Sequence, residues 1–178
     1  MAYAVVRTDK MFGTDVCTEL VSVKYIVTTG SGDDAVSTPT AIENGSVLKL
    51  GALLDGEREI YEGTAPAAND SLDDVVLVAT PELMYDERKH NLDEFINEAG
   101  KAARGYRFHK HDIFSVTIEA LNTALEKVEV GNVIELAAGT KMKAVASATS
   151  GSTVVGSVIH VETVGTKTFY AIEVGKTA

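Results

Sequence analysis

The sequence predicts a mainly β fold, made of small β-barrel or sandwich units with one inserted α-helix at about residues 91–104. Three observations carry this. Val (22), Ile (9) and Thr (18) together make 49 of the 178 residues β-branched, and such side chains suit the half-buried pleated surface of a sheet. Apolar and polar residues alternate with period two in several short runs, and Gly, Ser, Asp and Asn clusters separate those runs. With 45% hydrophobic and 24% charged residues the chain can bury a core and is neither disordered nor fibrous.

The elements follow in order. In Met1–Lys10, Tyr3, Val5 and Arg7 alternate with Ala4 and Val6, which suits either a first core strand over 2–7 or an exposed arm. Clear alternation marks Val21–Val27, Ser46–Leu50, Ile113–Ile118 and Asn132–Leu136, with further strands expected at 57–62, 74–79, 140–146, 154–162 and 167–174. The turn-rich stretches at 28–41 and 63–73 are expected to be mobile loops. One helix interrupts the strands. Asn91 is placed to cap the Glu94 amide in a capping box, and Asp93 and Glu94 suit the positive end. Leu92, Phe95, Ile96, Ala99 and Ala103 form one apolar stripe, Lys101 and Arg104 lie near the negative end, and Gly105 supplies a left-handed stop. A second short helix around Leu121–Lys127 is weakly indicated. The resulting organisation is an N-terminal β unit at 1–90 with a possible arm at 1–10, a helical insertion at 91–110, and a C-terminal β-barrel unit at 111–178, compatible with one compact domain.

Charge is unevenly placed. Residues 55–98 hold 13 Asp or Glu against Arg58, Arg88 and Lys89, so this window carries the whole net charge of −10. An acidic middle argues against nucleic acid, which needs a basic stripe for its phosphates. The window serves either as a solvated face or as a surface for a basic partner. No run approaches the length of a membrane span, and the start lacks the basic-then-apolar layout of a signal peptide, so cytoplasmic synthesis and no membrane partner are expected. Cys17 is the single cysteine and reads as a small buried hydrophobe.

The chain also repeats itself. Ile42–Leu50 (IENGSVLKL) resembles Val128–Leu136 (VEVGNVIEL), with Gly45 and Gly131 86 residues apart, and Asp74–Thr80 resembles Gly156–Thr163 in type and order. Two related β units would follow, although Gly-x-Val-x-x-Leu also recurs by coincidence in β proteins.

Catalytic patterns are scarce. The sequence contains no Gly-x-Ser-x-Gly elbow and no glycine-rich phosphate loop, and Thr149–Thr153 reads as a hairpin tip. Asp73–Asp74 and Asp86–Glu87 could be paired for acid/base work only if one carboxyl lay in an apolar pocket. His109 and His111 would share a face on a strand, and Asp112, His90 or His160 would have to complete a metal site. The expectation is therefore a non-enzyme with no catalytic, cofactor or metal residues.

Two stretches carry a resemblance. VGNVIELAAGTKMKAVASATSGSTVVGSVIHVETVGTKTFYAIEV at 130–174 resembles the small β-barrel of tailed-phage head decoration (cement) proteins, with its Gly-x-Val-x-Glu-Leu, Gly-x-Lys and Val-Gly-x-Val-Ile pattern. MAYAVVRTDK, ENGSVLKLGALLDGEREIYEGTAPA and ELMYDERKHNLDEFINEAGKAARGYR are similar to head-associated proteins of phages and prophages of Gram-positive bacteria. The resemblance implies a virion structural protein on the capsid exterior, bound to the major capsid protein and reinforcing it, commonly as a trimer. A rigid β body, an augmenting arm and an acidic outer surface suit such a role; Tyr3, Val5 and Arg7 are the candidate contacts. A head-fibre base or tail component, and a small metal-binding or enzymatic domain using His109 and His111, are the alternatives.

Overall fold

The computed structural model describes residues 2–8, 11, 20–83 and 92–175. Strands make up 47% and helical turns 7%, so the fold is mainly β. Twelve strands are present among the described residues: β1 (Leu20–Thr29), β2 (Val36–Pro39), β3 (Val47–Leu53), β4 (Ile60–Thr64), β5 (Val75–Val78), β6 (Ala103–Arg107), β7 (Ile113–Thr117), β8 (Leu121–Thr123), β9 (Val133–Glu135), β10 (Met142–Val145), β11 (Val154–Val164) and β12 (Lys167–Val174).

They form two units. In the first, β1-β4-β3-β5-β6 closes on itself through a β6–β1 pairing, giving a five-stranded barrel, and β2 extends from the far half of β1. The second is a half-barrel in the order β7-β12-β11-β9-β10-β8. Both units have the same topology. β1 pairs parallel to β4 and β8 parallel to β10, while every other pairing in both sheets is antiparallel. Strands β3, β4, β5 and β6 therefore correspond to β9, β10, β11 and β12. The long strand β1, which touches β6 and β4 at once, corresponds to β7 and β8 with the turn Ile118–Ala120 between them. That turn divides one strand in two and leaves the second unit open.

The sequence repeat marks the same elements. Gly45 N–H donates to Val78 O at 2.7 Å and Val78 N–H to Ser46 O at 2.8 Å; Gly131 N–H donates to Val158 O at 2.8 Å and Val158 N–H to Asn132 O at 2.9 Å. Both glycines are left-handed, φ +81° and +93°, as a turn feeding a strand at this angle requires. The downstream match is Val75–Val78 with Val155–Val158, an alignment that the β-bulge between Val154 and Gly156 obscures in the sequence.

Strand β5 explains how the units pack. All four of its residues are buried. Val76 and Val78 face the barrel interior with Val23, Leu48, Ile42 and Ala103. Val75 and Leu77, with Val47, join the larger cluster containing Phe114, Val116, Ile134, Met142 and Ile172 of the half-barrel. The wall of the first unit thus fills the mouth of the second, and a strand covered on both faces is apolar throughout rather than alternating. The first barrel is narrow. A Cβ on Gly63 would lie 2.5 Å from Val23 Cγ2 and 2.9 Å from Leu48 Cδ1.

The α-helix expected at 91–104 is not present over the described residues 92–104. Leu92–Glu94 form one 3₁₀ turn, Asn97 bridges to Ile42, left-handed Gly100 (φ +78°) reverses the chain, and β6 starts at Ala103. The cause is Asn97, whose backbone exchanges hydrogen bonds with Ile42 at 3.0 and 2.9 Å. Its buried side chain donates to Ile42 O at 3.1 Å and to Asn44 Oδ1 at 3.0 Å. A helix of about 12 residues is marginal without tertiary support, and here the tertiary contacts favour extended chain. Ala103, the last residue of the apolar stripe, points into the barrel instead. Gly105 is not a helix stop but a strand residue whose Cβ would meet Val76 Cγ2 at 2.9 Å. Asn91 lies outside the described residues. The helix expected near Leu121–Lys127 is also replaced, its first residues forming β8.

Candidate functional site

The residues singled out as contacts, Tyr3, Val5 and Arg7, lie at the seam between the two units. Val6 bridges Val116 of β7, flanked by Arg7 N–H to Ser115 O at 3.0 Å and Thr117 N–H to Val5 O at 3.1 Å. Val5 N–H also donates to Thr117 Oγ1 at 3.3 Å. On the side of the first unit, Tyr3 N–H donates to Asp93 O at 2.9 Å, and Ala4 N–H to Glu43 Oε2 at 3.2 Å. The Arg7 guanidinium pairs with Glu162 at 3.4 Å and stacks 5.5 Å above the Phe169 ring. Ala4, Val5 and Val6 are buried, at 2%, 0% and 2% exposure; Tyr3 and Arg7 are half-buried. The segment at 2–7 lies in extended form against the body, joined to β7 by a single bridge at Val6, and is neither a full first strand nor a free arm.

A second constellation has no counterpart in the sequence reading. Glu135 on β9 is fully buried. Its carboxylate accepts from Thr149 N–H at 2.9 Å, Thr149 Oγ1–H at 2.8 Å and Lys143 Nζ at 3.2 Å. Burial alone would raise its pKa; the Thr149 bonds and Lys143 together outweigh that and hold it below the ordinary glutamate value. Pairing and hydrogen bonding thus keep a buried carboxylate ionised and tie down the loop at 146–153. In sequence Glu135 occupies the polar phase of an alternating strand, so nothing there distinguishes it from a solvent-facing residue. At the matching position of the first unit, Lys49 pairs with Asp70 at 2.6 Å. The bond to Lys49 and the Ala67 N–H, which it accepts at 2.7 Å, lower the Asp70 pKa. In both units the residue two places into the strand after the repeat glycine's turn anchors the loop that joins the following two strands, β4 to β5 in the first and β10 to β11 in the second.

The acidic window is not a uniform outer face. Asp70 pairs with Lys49, Asp93 with Lys167 at 3.0 Å, Glu57 with Lys24 at 3.6 Å and Glu98 with Lys101 at 2.8 Å. The Lys167 bond, opposed by burial, holds Asp93 below its ordinary pKa. Asp93 and Lys167 belong to different units, so part of the window seals the seam. Asp55, Glu59, Asp73 and Asp74 are exposed; Asp86 and Glu87 lie outside the described residues.

His109 and His111 do not sit on a strand. They occupy the turn between β6 and β7, with His111 left-handed at φ +76°. The His111 ring faces Glu173 at 3.1 Å and the His109 ring faces Asp112 at 4.0 Å. His160 is exposed on β11, while His90 and Cys17 lie outside the described residues. No group of three His, Cys, Asp or Glu able to hold a metal occurs among the described residues. No helix among them is long and apolar enough to cross a membrane.

Topology and site geometry together define a two-unit β protein built on a duplicated barrel. No family model, curated protein or solved structure matches the chain.

Proposed function

We propose that this chain is a non-enzymatic virion structural protein that binds the outer surface of a phage capsid lattice and stabilises or decorates it. Its partner is the major capsid protein, and it acts as a homo-oligomer, a trimer in the simplest arrangement, on the capsid exterior. Neither nucleic acid nor membrane is a partner in this reading. One observation carries it: the stretch 130–174, which resembles the decoration-protein barrel, folds here as β9–β12, an unbroken block of the half-barrel. A rigid body of two docked β units suits a protein whose task is to brace a lattice, and surplus acid at Asp55, Glu59, Asp73 and Asp74 suits a solvent-facing side. Tyr3 and Arg7 are the proposed contacts that keep exposed surface; Val5 would act by holding their segment in register.

The test is co-sedimentation of the purified protein with capsids that lack it, followed by negative-stain imaging. Saturation at a fixed ratio to the capsid subunit, with density over the lattice, is expected. Density at one vertex or along a tail would assign it to a fibre base or tail instead, and no density on any particle would overturn the proposal.

A further inference from the structure

The extended segment at residues 2–8 has contacts that serve neither unit alone. Its partners Ser115, Val116, Thr117, Glu162 and Phe169 belong to the half-barrel, whereas Glu43 and Asp93 belong to the first unit. Ala4 and Val6 enter the large apolar cluster where the units meet. Ala4 and Val6 also line the space that a Cβ on Gly45, at the first unit's repeat turn, would enter, at 3.6 and 3.5 Å from it. Glu43, which accepts the Ala4 N–H, is itself 3.7 Å from Lys141 of the half-barrel.

Away from this segment, the units meet through a separate set of backbone bonds. Val47 N–H donates to Thr140 O at 2.8 Å, Gly139 N–H to Pro66 O at 3.2 Å and Thr153 N–H to Ala68 O at 2.7 Å. None of these amides touches residues 2–8 through a hydrogen bond among those described. They therefore report on the seam without reporting on the segment itself.

We infer that residues 2–8 are a strap that closes the seam and couples the opening of the two units, rather than an extra edge strand of the half-barrel. The inference stands independently of the proposed function. When the strap lies down, both units are held by one segment, and separating them requires it to leave either the first unit, breaking its bonds to Glu43 and Asp93, or the half-barrel, breaking the Val6–Val116 bridge and the Arg7–Glu162 pair. A simple edge strand would instead fray without consequence for the other unit.

The experiment is amide hydrogen exchange on the full chain, resolved to the amides of Val47, Gly139 and Thr153. In a variant carrying Val6→Ala and Arg7→Ala, exchange at these three is expected to accelerate by at least about ten-fold, the equivalent of one lost charge-assisted hydrogen bond. A second variant protects against misfolding of the first. Val6 and Val116 form a non-hydrogen-bonded antiparallel pair, since the ladder bonds flank it, and such pairs have Cα atoms about 4.5 Å apart, within disulfide range. In a Cys17→Ser background, Val6→Cys with Val116→Cys should show slower exchange at the three seam amides when oxidised, and recover faster exchange on reduction. Seam exchange that is the same in oxidised and reduced forms, or acceleration confined to the amides of residues 7 and 117 in the first variant, would overturn the inference.

Discussion

The duplicated turn offers a matched pair of perturbations. Gly45 and Gly131 hold the same place in the two repeats, make the same backbone bond and have similar left-handed φ, +81° and +93°. An alanine at either must adopt a conformation that costs L-residues about 1–2 kcal/mol. Their surroundings differ. A Cβ at Gly131 meets nothing within 4 Å, whereas one at Gly45 lies 2.8 Å from Ala120 Cβ and 3.5 Å from Val6 Cγ2. Ala120 Cβ is fixed to the 3₁₀ turn and cannot swing aside, so the backbone must shift, an overpacking cost of about 1–3 kcal/mol. Gly131→Ala should therefore lose about 1–2 kcal/mol and Gly45→Ala about 2–5 kcal/mol in urea denaturation with an unchanged m-value. The difference between the two isolates the steric contribution, because the backbone term is common. Equal losses would refute the reasoning, since they would mean that contact at the seam contributes nothing and the turn conformation everything.

Other expectations are more local. Glu135→Gln should cost about 1–3 kcal/mol at neutral pH, by weakening the charged bonds to Thr149 and Lys143, and thermal denaturation measures it. Because the folded pKa of Glu135 is lowered, its contribution is complete above the ordinary carboxylate range and disappears as pH falls through the folded value. The gap between wild type and Glu135→Gln should narrow on acidification; a gap constant from neutrality to strong acid would contradict the assignment. Gly63→Ala should destabilise by about 1–3 kcal/mol, since its Cβ would enter the filled interior of the first barrel beside Val23 and Leu48, and a neutral result in urea denaturation would show that the interior has slack. His109→Ala with His111→Ala should leave the melting temperature within a few degrees of wild type, because both rings are largely exposed, at 51% and 71%.

Much of the β architecture was legible because its signals are local. Period-two alternation located β1, β3, β7 and β9, and the glycine spacing located the duplication, because a left-handed turn feeding a strand leaves the same residues twice. The helix expected at 91–104 shows the opposite case. Its i, i+3, i+4 stripe is real, but Ala103 is buried inside a barrel and Asn97 bonds residues more than fifty positions away. Period alone does not register an asparagine that is about to be satisfied by a distant carbonyl. Glu135 was hidden for a similar reason: its partners Lys143 and Thr149 become neighbours only after β9 and β10 pair. The closure of one unit and the opening of the other turn on three residues, Ile118–Ala120, that carry no unusual composition.

That asymmetry between the units bears on assembly. A wall seated in a neighbour's mouth is a head-to-tail contact, and repeated between identical modules it would propagate into an open fibre. Within this chain the contact is made once. The first module has closed its mouth by pairing β6 to β1, so it can receive no wall. On the second module, Ser157 stands at the position of Leu77 and is itself buried, so the two walls differ in chemistry at the matching place. The contact that joins the two halves is thus one-directional: the wall of the first unit is taken up in the mouth of the second, and the closed first barrel offers no equivalent mouth in return.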